Sequence, residues 1–169
     1  KQVDLFDPDL KDAWKMGLSM AEIPAEIASL NESMRPKAEE YIGLLEDGES
    51  PEDNATMRNL LTEINAACEK MNSWVEESAK KLIDQNKLVA LIGGDHSTPF
   101  GLMKALGQKH SEFGILHFDA HADLRDAYEG FKYSHASIMF NALSIKSMKR
   151  LVQVGIRDYC EDEHDLIID

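Results

Sequence analysis

At 169 residues the chain is long enough to bury one substantial core, and its 43% apolar and 29% charged residues are an ordinary balance for a folded domain. A net charge of −13 disfavours nucleic acid and anionic membranes, whose phosphates attract basic partners, and it suits a cationic small molecule only through long-range steering. No apolar run approaches the ~18 residues of a membrane span.

The opening KQVDLFDPDLKDAW has no basic-then-apolar leader pattern, and it lacks a Met. Cys68 and Cys160 show no metal-type spacing, which points to reduced thiols and a cytoplasmic location. Residues 14–20, WKMGLSM, have the texture of a short strand. PAEIASLNESMRPKAEEYIGLLEDG then reads as one helix or two, closing at Gly48. A second helix follows, with Ser50 as cap, Pro51 in the first turn, and Glu52 and Asp53 at the positive helix end. Leu60, Ile64, Ala67, Met71, Trp74 or Val75, Ser78 and Leu82 fall on one face at helical spacing, a packing stripe.

From residue 88 the texture changes. LVALIGG reads as a buried strand. STPFGLMKALGQKH reads as a helix capped by Ser97 or Thr98, with Pro99 in the first turn. FGILHFDA reads as a second buried strand, SHASIMFNALSI as a helix, and RLVQVGIRDY as a third strand. Strands alternating with helices mean βαβ units and a parallel α/β sheet.

In such sheets ligands bind beyond the C-terminal strand ends, where GGDHS (93–97) and DAHAD (119–123) both fall. Side chains alternate along extended backbone, so Asp119, His121 and Asp123 are expected to share one face, with the small Ala120 and Ala122 on the other. Gly93 and Gly94 permit a tight turn that presents Asp95 and His96. Carboxylate oxygen with imidazole nitrogen suits Mn, Fe, Zn or Ni. Carboxylates gathered in a buried place repel one another without a cation, so metal binding is the expected role. His117 shares the ligands' parity; it reads as core packing, with support of the ligands as the alternative. His110 and His164 read as surface residues.

The pairing of GGDHS with DAHAD at strand ends resembles the ureohydrolases: arginase, agmatinase, formimidoylglutamase and relatives. The stretch 88–158 matches throughout. The opening QVDLFDPDLKDAW resembles the segment entering the sheet in some bacterial members, and residues 25–86 carry little of the resemblance. It implies a three-layer α/β/α fold with a mainly parallel sheet. Residues 1–169 would be a portion of a single domain, with an opening strand and mostly helical region over 1–87 and the βαβ metal-site core over 88–169. It further implies two manganese ions that activate water for attack on a guanidinium carbon, releasing urea and an amine. Carried over by position, His96 and Asp123 would bind the first ion, His121 the second, and Asp119 both. Asp95 is not a family ligand; its expected role is to orient the loop. In YSHAS (133–137), His135 would move protons to the leaving amine, a task suited to a group titrating near neutral pH. Ala136 stands where members usually carry Gly.

Arginases also carry an Asn two residues past the DAHxD motif and a Ser-Gly-Asn segment before the shuttle His. Here Arg125 stands at the first place and GFKYSH at the second. This favours agmatine over arginine. Arg125 and Lys132 are the alternative means of holding a carboxylate, so arginine or formiminoglutamate stays open. The family's later Asp-x-Asp pair of ligands does not occur before Asp169. The sequence therefore reads as the middle of a longer enzyme or as a catalytically incomplete chain. Expected partners are a small cationic guanidino substrate and further copies of the chain, with neither nucleic acid nor membrane.

Overall fold

In the computed structural model, which describes residues 9, 15 and 17–168, the first regular elements are two long helices, α1 (Ala25–Glu46) and α2 (Ala55–Asp84). The expected strand over 14–20 lies partly outside the described residues, and residues 17–20 have no regular structure. α1 is one helix and keeps Pro36 inside it. The cap of α2 is Asn54, whose side chain accepts from the Thr56 and Met57 amides at 2.8 and 3.2 Å. Ser50 instead accepts from the Glu52 amide, closing a turn before the helix. An Asn four residues nearer the apolar stripe serves two orphan donors, which Ser50 is too distant to reach.

The buried stripe of α2 begins as expected, with Leu60, Ile64 and Ala67. It continues through Asn72, Val75, Ala79 and Ile83 instead of Met71, Ser78 and Leu82. The expected spacing was close to a heptad. The near half faces α1, with Leu60 and Ile64 clustered on Tyr41, whereas the far half faces another helix, with Ala79 and Ile83 clustered on Ala105, and this change of neighbour turns the buried face onward.

α3 (Phe100–Lys109) packs along α2. The crossing is close enough that a methyl on Gly101 would stand 2.3 Å from the Asn72 carbonyl oxygen and 2.8 Å from Val75 Cβ. α3 takes no side-chain cap; Ser97 and Thr98 belong to the preceding turn.

β1 (Phe113–Phe118) and β2 (Met148–Val154) form a parallel pair, joined through a loop and the short helix α4 (Ile138–Leu143). α5 (Glu161–Ile168) follows β2. Ile115 and Leu151 point into a core with Phe100, Ala122, Leu124, Tyr133, Ile138 and Met139. The other sheet face lies open, with Leu116, Phe118, Val152 and Val154 all exposed. The expected strand over LVALIGG does not form. Residues 87–93 have no regular structure, and Leu88 and Ile92 are exposed while Val89 packs on α2 and α3. Apolar alternation is there, but a strand exists only through hydrogen bonds to a neighbour, and the described residues place none beside this run.

Candidate metal centre and adjoining cleft

Two turns build the site. In the first, Asp95 accepts from the Ser97 amide and hydroxyl, and its carbonyl accepts from Thr98 Oγ1. Gly93 sits where a side chain would meet Thr98. This fold of the loop leaves His96, rather than Asp95, half-buried and directed at the second turn.

The second turn leaves β1 at Phe118. The Asp119 amide still donates to Val154, and the Ala120 carbonyl accepts from Arg157 and Asp158, so the turn is tied to the end of β2. Asp123 then adopts φ +55°, a left-handed conformation uncommon outside glycine. Its carbonyl accepts from Met139 and Phe140 at the start of α4. The DAHAD segment is thus a loop, not an extended strand, and simple alternation does not govern it.

What converges is a four-residue cluster. One ligand atom from each of His96, His117, Asp119 and Asp123 lies within 4.8 Å of every other. His96 Nδ1 is 2.6 Å from Asp123 Oδ2 and 3.6 Å from Asp119 Oδ2. His117 Nε2 is 3.7 Å from Asp119 Oδ2 and 4.0 Å from Asp123 Oδ2. His121 stands outside this cluster, on the far side of Asp119: its Nδ1 is 3.2 Å from Asp119 Oδ1, and its amide donates to that oxygen at 2.9 Å. Asp119 therefore turns one oxygen to His96 and His117 and the other to His121. Asp158, bridged to His121 in the backbone, places Oδ2 3.8 Å from His121 Nε2.

Electrostatics follow from these contacts. The hydrogen bond to Asp123 raises the His96 pKa above the ordinary range, against the opposing effect of burial. Burial first, then the neighbouring His96, lowers His117. The His121 amide leads several donors that hold Asp119 below the usual carboxylate range. Asp123 is only 5% exposed, so a carboxylate is buried beside a second one.

Beside the cluster lies a cleft of about 160 Å³, lined by residues that include His121, Asp123, His135 and Asp158. His135 begins a one-turn 3-10 segment, with Ser134 accepting from the Ala136 amide. Ala136 is not among the residues with positive φ, so this backbone accommodates alanine. The loop that delivers His135 is held from α2 by Asn65, which donates to the Gly130 carbonyl and accepts from the Lys132 amide. Tyr41 of α1 donates to the Glu129 carbonyl.

Arg125 also lines the cleft, but its Nε is 3.4 Å from Glu163 Oε2 and its guanidinium sits 4.7 Å from the Tyr128 ring centre. Lys132 is exposed and lies over the Tyr133 ring. His110 and His164 are exposed. Cys68 and Cys160 are free thiols.

Residues 24–169 match the family model described as the arginase family. The chain belongs to the arginase family. Among its relatives, a mitochondrial arginase of Medicago truncatula is 39% identical over 100 residues, 58% of this chain and 30% of that protein. An agmatinase of Bacillus cereus is 32% identical over 91 residues, 54% of this chain and 31% of that protein. The solved arginase from Medicago truncatula superposes with a TM-score of 0.56 at 36% identity, covering 64% of this chain and 36% of that one. This arginase-family chain thus spans about a third of the length of the relatives it matches.

Imidazole and carboxylate donors, converging with a carboxylate buried among them, fit a divalent first-row metal ion. Three residues of the family chain that shape this region are not singled out by the sequence. Glu163, 2% exposed, accepts from the Leu124 and Cys160 amides and pairs with Arg125. Its acidic surroundings, EDEHD, disguise it as a solvated helix end. Asn65 lies one position from the core stripe. Gln153 alone carries a signal: a polar side chain on the β2 parity that Leu151 shows to be covered.

Proposed function

We propose that this chain carries the metal-binding portion of a ureohydrolase that cleaves a guanidino compound to urea and an amine, with agmatine favoured over arginine. The observation that carries the reading is Asp119, one oxygen facing His96 and the other His121. A carboxylate so divided suits two neighbouring ions, with His96 and Asp123 on one side and His121 on the other. Manganese is the proposed metal. When bound, such ions supply Lewis acidity and a nucleophile active near neutral pH.

The chain's own residues do the rest. Asp158 and the acidic surface offer a cationic substrate its counter-charge beside His121. His135, on the cleft wall, would hand a proton to the departing amine. The substrate preference rests on Arg125. Its charge is matched by Glu163 and its guanidinium lies over the Tyr128 ring, so it does not offer a free cation to a substrate carboxylate. Agmatine has none.

The test is manganese titration of the 169-residue chain, together with urea release from agmatine, arginine and formiminoglutamate. Manganese binding that Asp119→Asn weakens at least tenfold supports the site. Faster urea release from agmatine than from arginine supports the substrate. Binding indifferent to Asp119 overturns the metal reading, and preferred turnover of arginine overturns the substrate reading. Binding without any turnover assigns the chain to the catalytically incomplete class.

A further inference from the structure

His117 is the one buried group of the cluster whose role the family resemblance leaves unassigned. It is 4% exposed, and its Nε2 has no hydrogen-bond partner among the described residues. Its place among four converging donors invites reading it as a fourth metal ligand. The other side of its ring argues otherwise.

His117 and Gln153 are cross-strand neighbours in the β1–β2 register. Gln153 Nε2 is 2.7 Å from the Ala122 carbonyl oxygen and 2.9 Å from His117 Nδ1. A carbonyl oxygen only accepts, so the amide nitrogen, not the amide oxygen, must face Ala122. The reversed amide would set two acceptors 2.7 Å apart. With one amide hydrogen on Ala122, the second points to His117 Nδ1, which must accept it. The ring proton of neutral His117 is then on Nε2. Ligation through Nε2 would move that proton to Nδ1, where it would meet the Gln153 hydrogen head-on.

We propose that Gln153 fixes His117 as an Nε2–H donor directed at Asp119 and Asp123, so that His117 is a positioning residue for the metal-binding carboxylates and not a ligand. The proposal rests on the metal reading above. Nε2 makes no hydrogen bond among the described residues, but it faces Asp119 Oδ2 at 3.7 Å and Asp123 Oδ2 at 4.0 Å. A neutral donor there steadies two adjacent carboxylates without displacing a cation by its own charge. Outer groups of this kind typically change metal affinity by about 10–100-fold.

Two measurements on the whole chain decide it. Nitrogen-15 NMR of the uniformly labelled chain, with the His117 ring assigned through its bonds from the backbone assignment, reads the tautomer directly. The expected result is a protonated Nε2 and an accepting Nδ1; a protonated Nδ1 overturns the proposal without any variant having to fold. Cobalt(II) titration supplies the second readout. His117→Phe is expected to weaken binding about 10–100-fold while leaving the visible bands of the bound ion unchanged. His117→Gln, which keeps an N–H donor, is expected to recover part of that loss. Altered bands in His117→Phe would make His117 a ligand and overturn the proposal. A parent chain that binds no cobalt would overturn the metal reading and the supporting role with it, whatever the tautomer; binding with the wrong tautomer overturns this inference alone.

Discussion

Single residues in this protein carry more than one task. Asp123 lends its carboxylate to His96 while its carbonyl receives the first amides of α4. Glu163 does something similar in the loop beyond: it fixes the Leu124 and Cys160 amides and neutralises Arg125. Burial alone would push its carboxyl up, but the two amides and Arg125 bring it below the ordinary glutamate range. A carboxyl with a depressed folded pKa contributes stability above its unfolded pKa and loses it as pH falls through the folded value. Glu163→Gln should therefore cost about 1–3 kcal/mol near neutral pH, and that difference should vanish as pH drops below the glutamate range. Urea unfolding of both proteins from pH 7 to pH 3 measures it. A pH-independent gap would mean that the charge on Glu163 contributes nothing. The convergence of His96, Asp119 and Asp123 was legible in the sequence through the unusual composition of GGDHS and DAHAD, only the second of which follows a strand. Glu163 was not, because beyond the nearby Cys160 amide its other partners, Arg125 and Leu124, lie 38 and 39 residues away and nothing local marks them.

At the scale of elements, helices were easier to read than strands. Their hydrogen bonds are internal, so periodicity and caps within 30 residues suffice for α1, α2 and α3. Even there the choice of cap went to Asn54, and the far half of the α2 stripe moved on by a residue. LVALIGG shows the opposite limit: its apolar pattern is strand-like, yet a strand needs a neighbour, and no pattern within seven residues can supply one. Elements also reveal a contact that sequence does not announce. Gly101 lets α3 lie against the backbone of α2, and α3 follows directly on the turn that carries His96. Gly101→Ala should push the helices apart and destabilise the fold by about 1–3 kcal/mol, despite the better helix propensity of alanine. Thermal and chemical unfolding test this; a stabilised variant would show that the crossing is looser than its 2.3 Å clearance implies.

For the whole molecule, the relatives' greater length and the chain's own surface belong together. The sheet has one face packed on helices and one open, and the open face carries Phe118 at 70% exposure beside Val154 at 44%. The chain as a whole carries a net charge of −13. In colloidal terms the molecule carries two opposed forces of different range. Like charges repel over a distance that salt shortens from about 30 Å at 0.01 M to about 8 Å at 0.15 M. Apolar attraction acts only at contact and does not fade with salt. Dilute buffer should therefore keep copies of this chain apart, and added salt should bring them together through the open face. Light scattering across a salt series is expected to show the parent gaining mass while Phe118→Ser with Val154→Ser stays level. A parent that remains single at high salt would mean that another part of the chain covers this face.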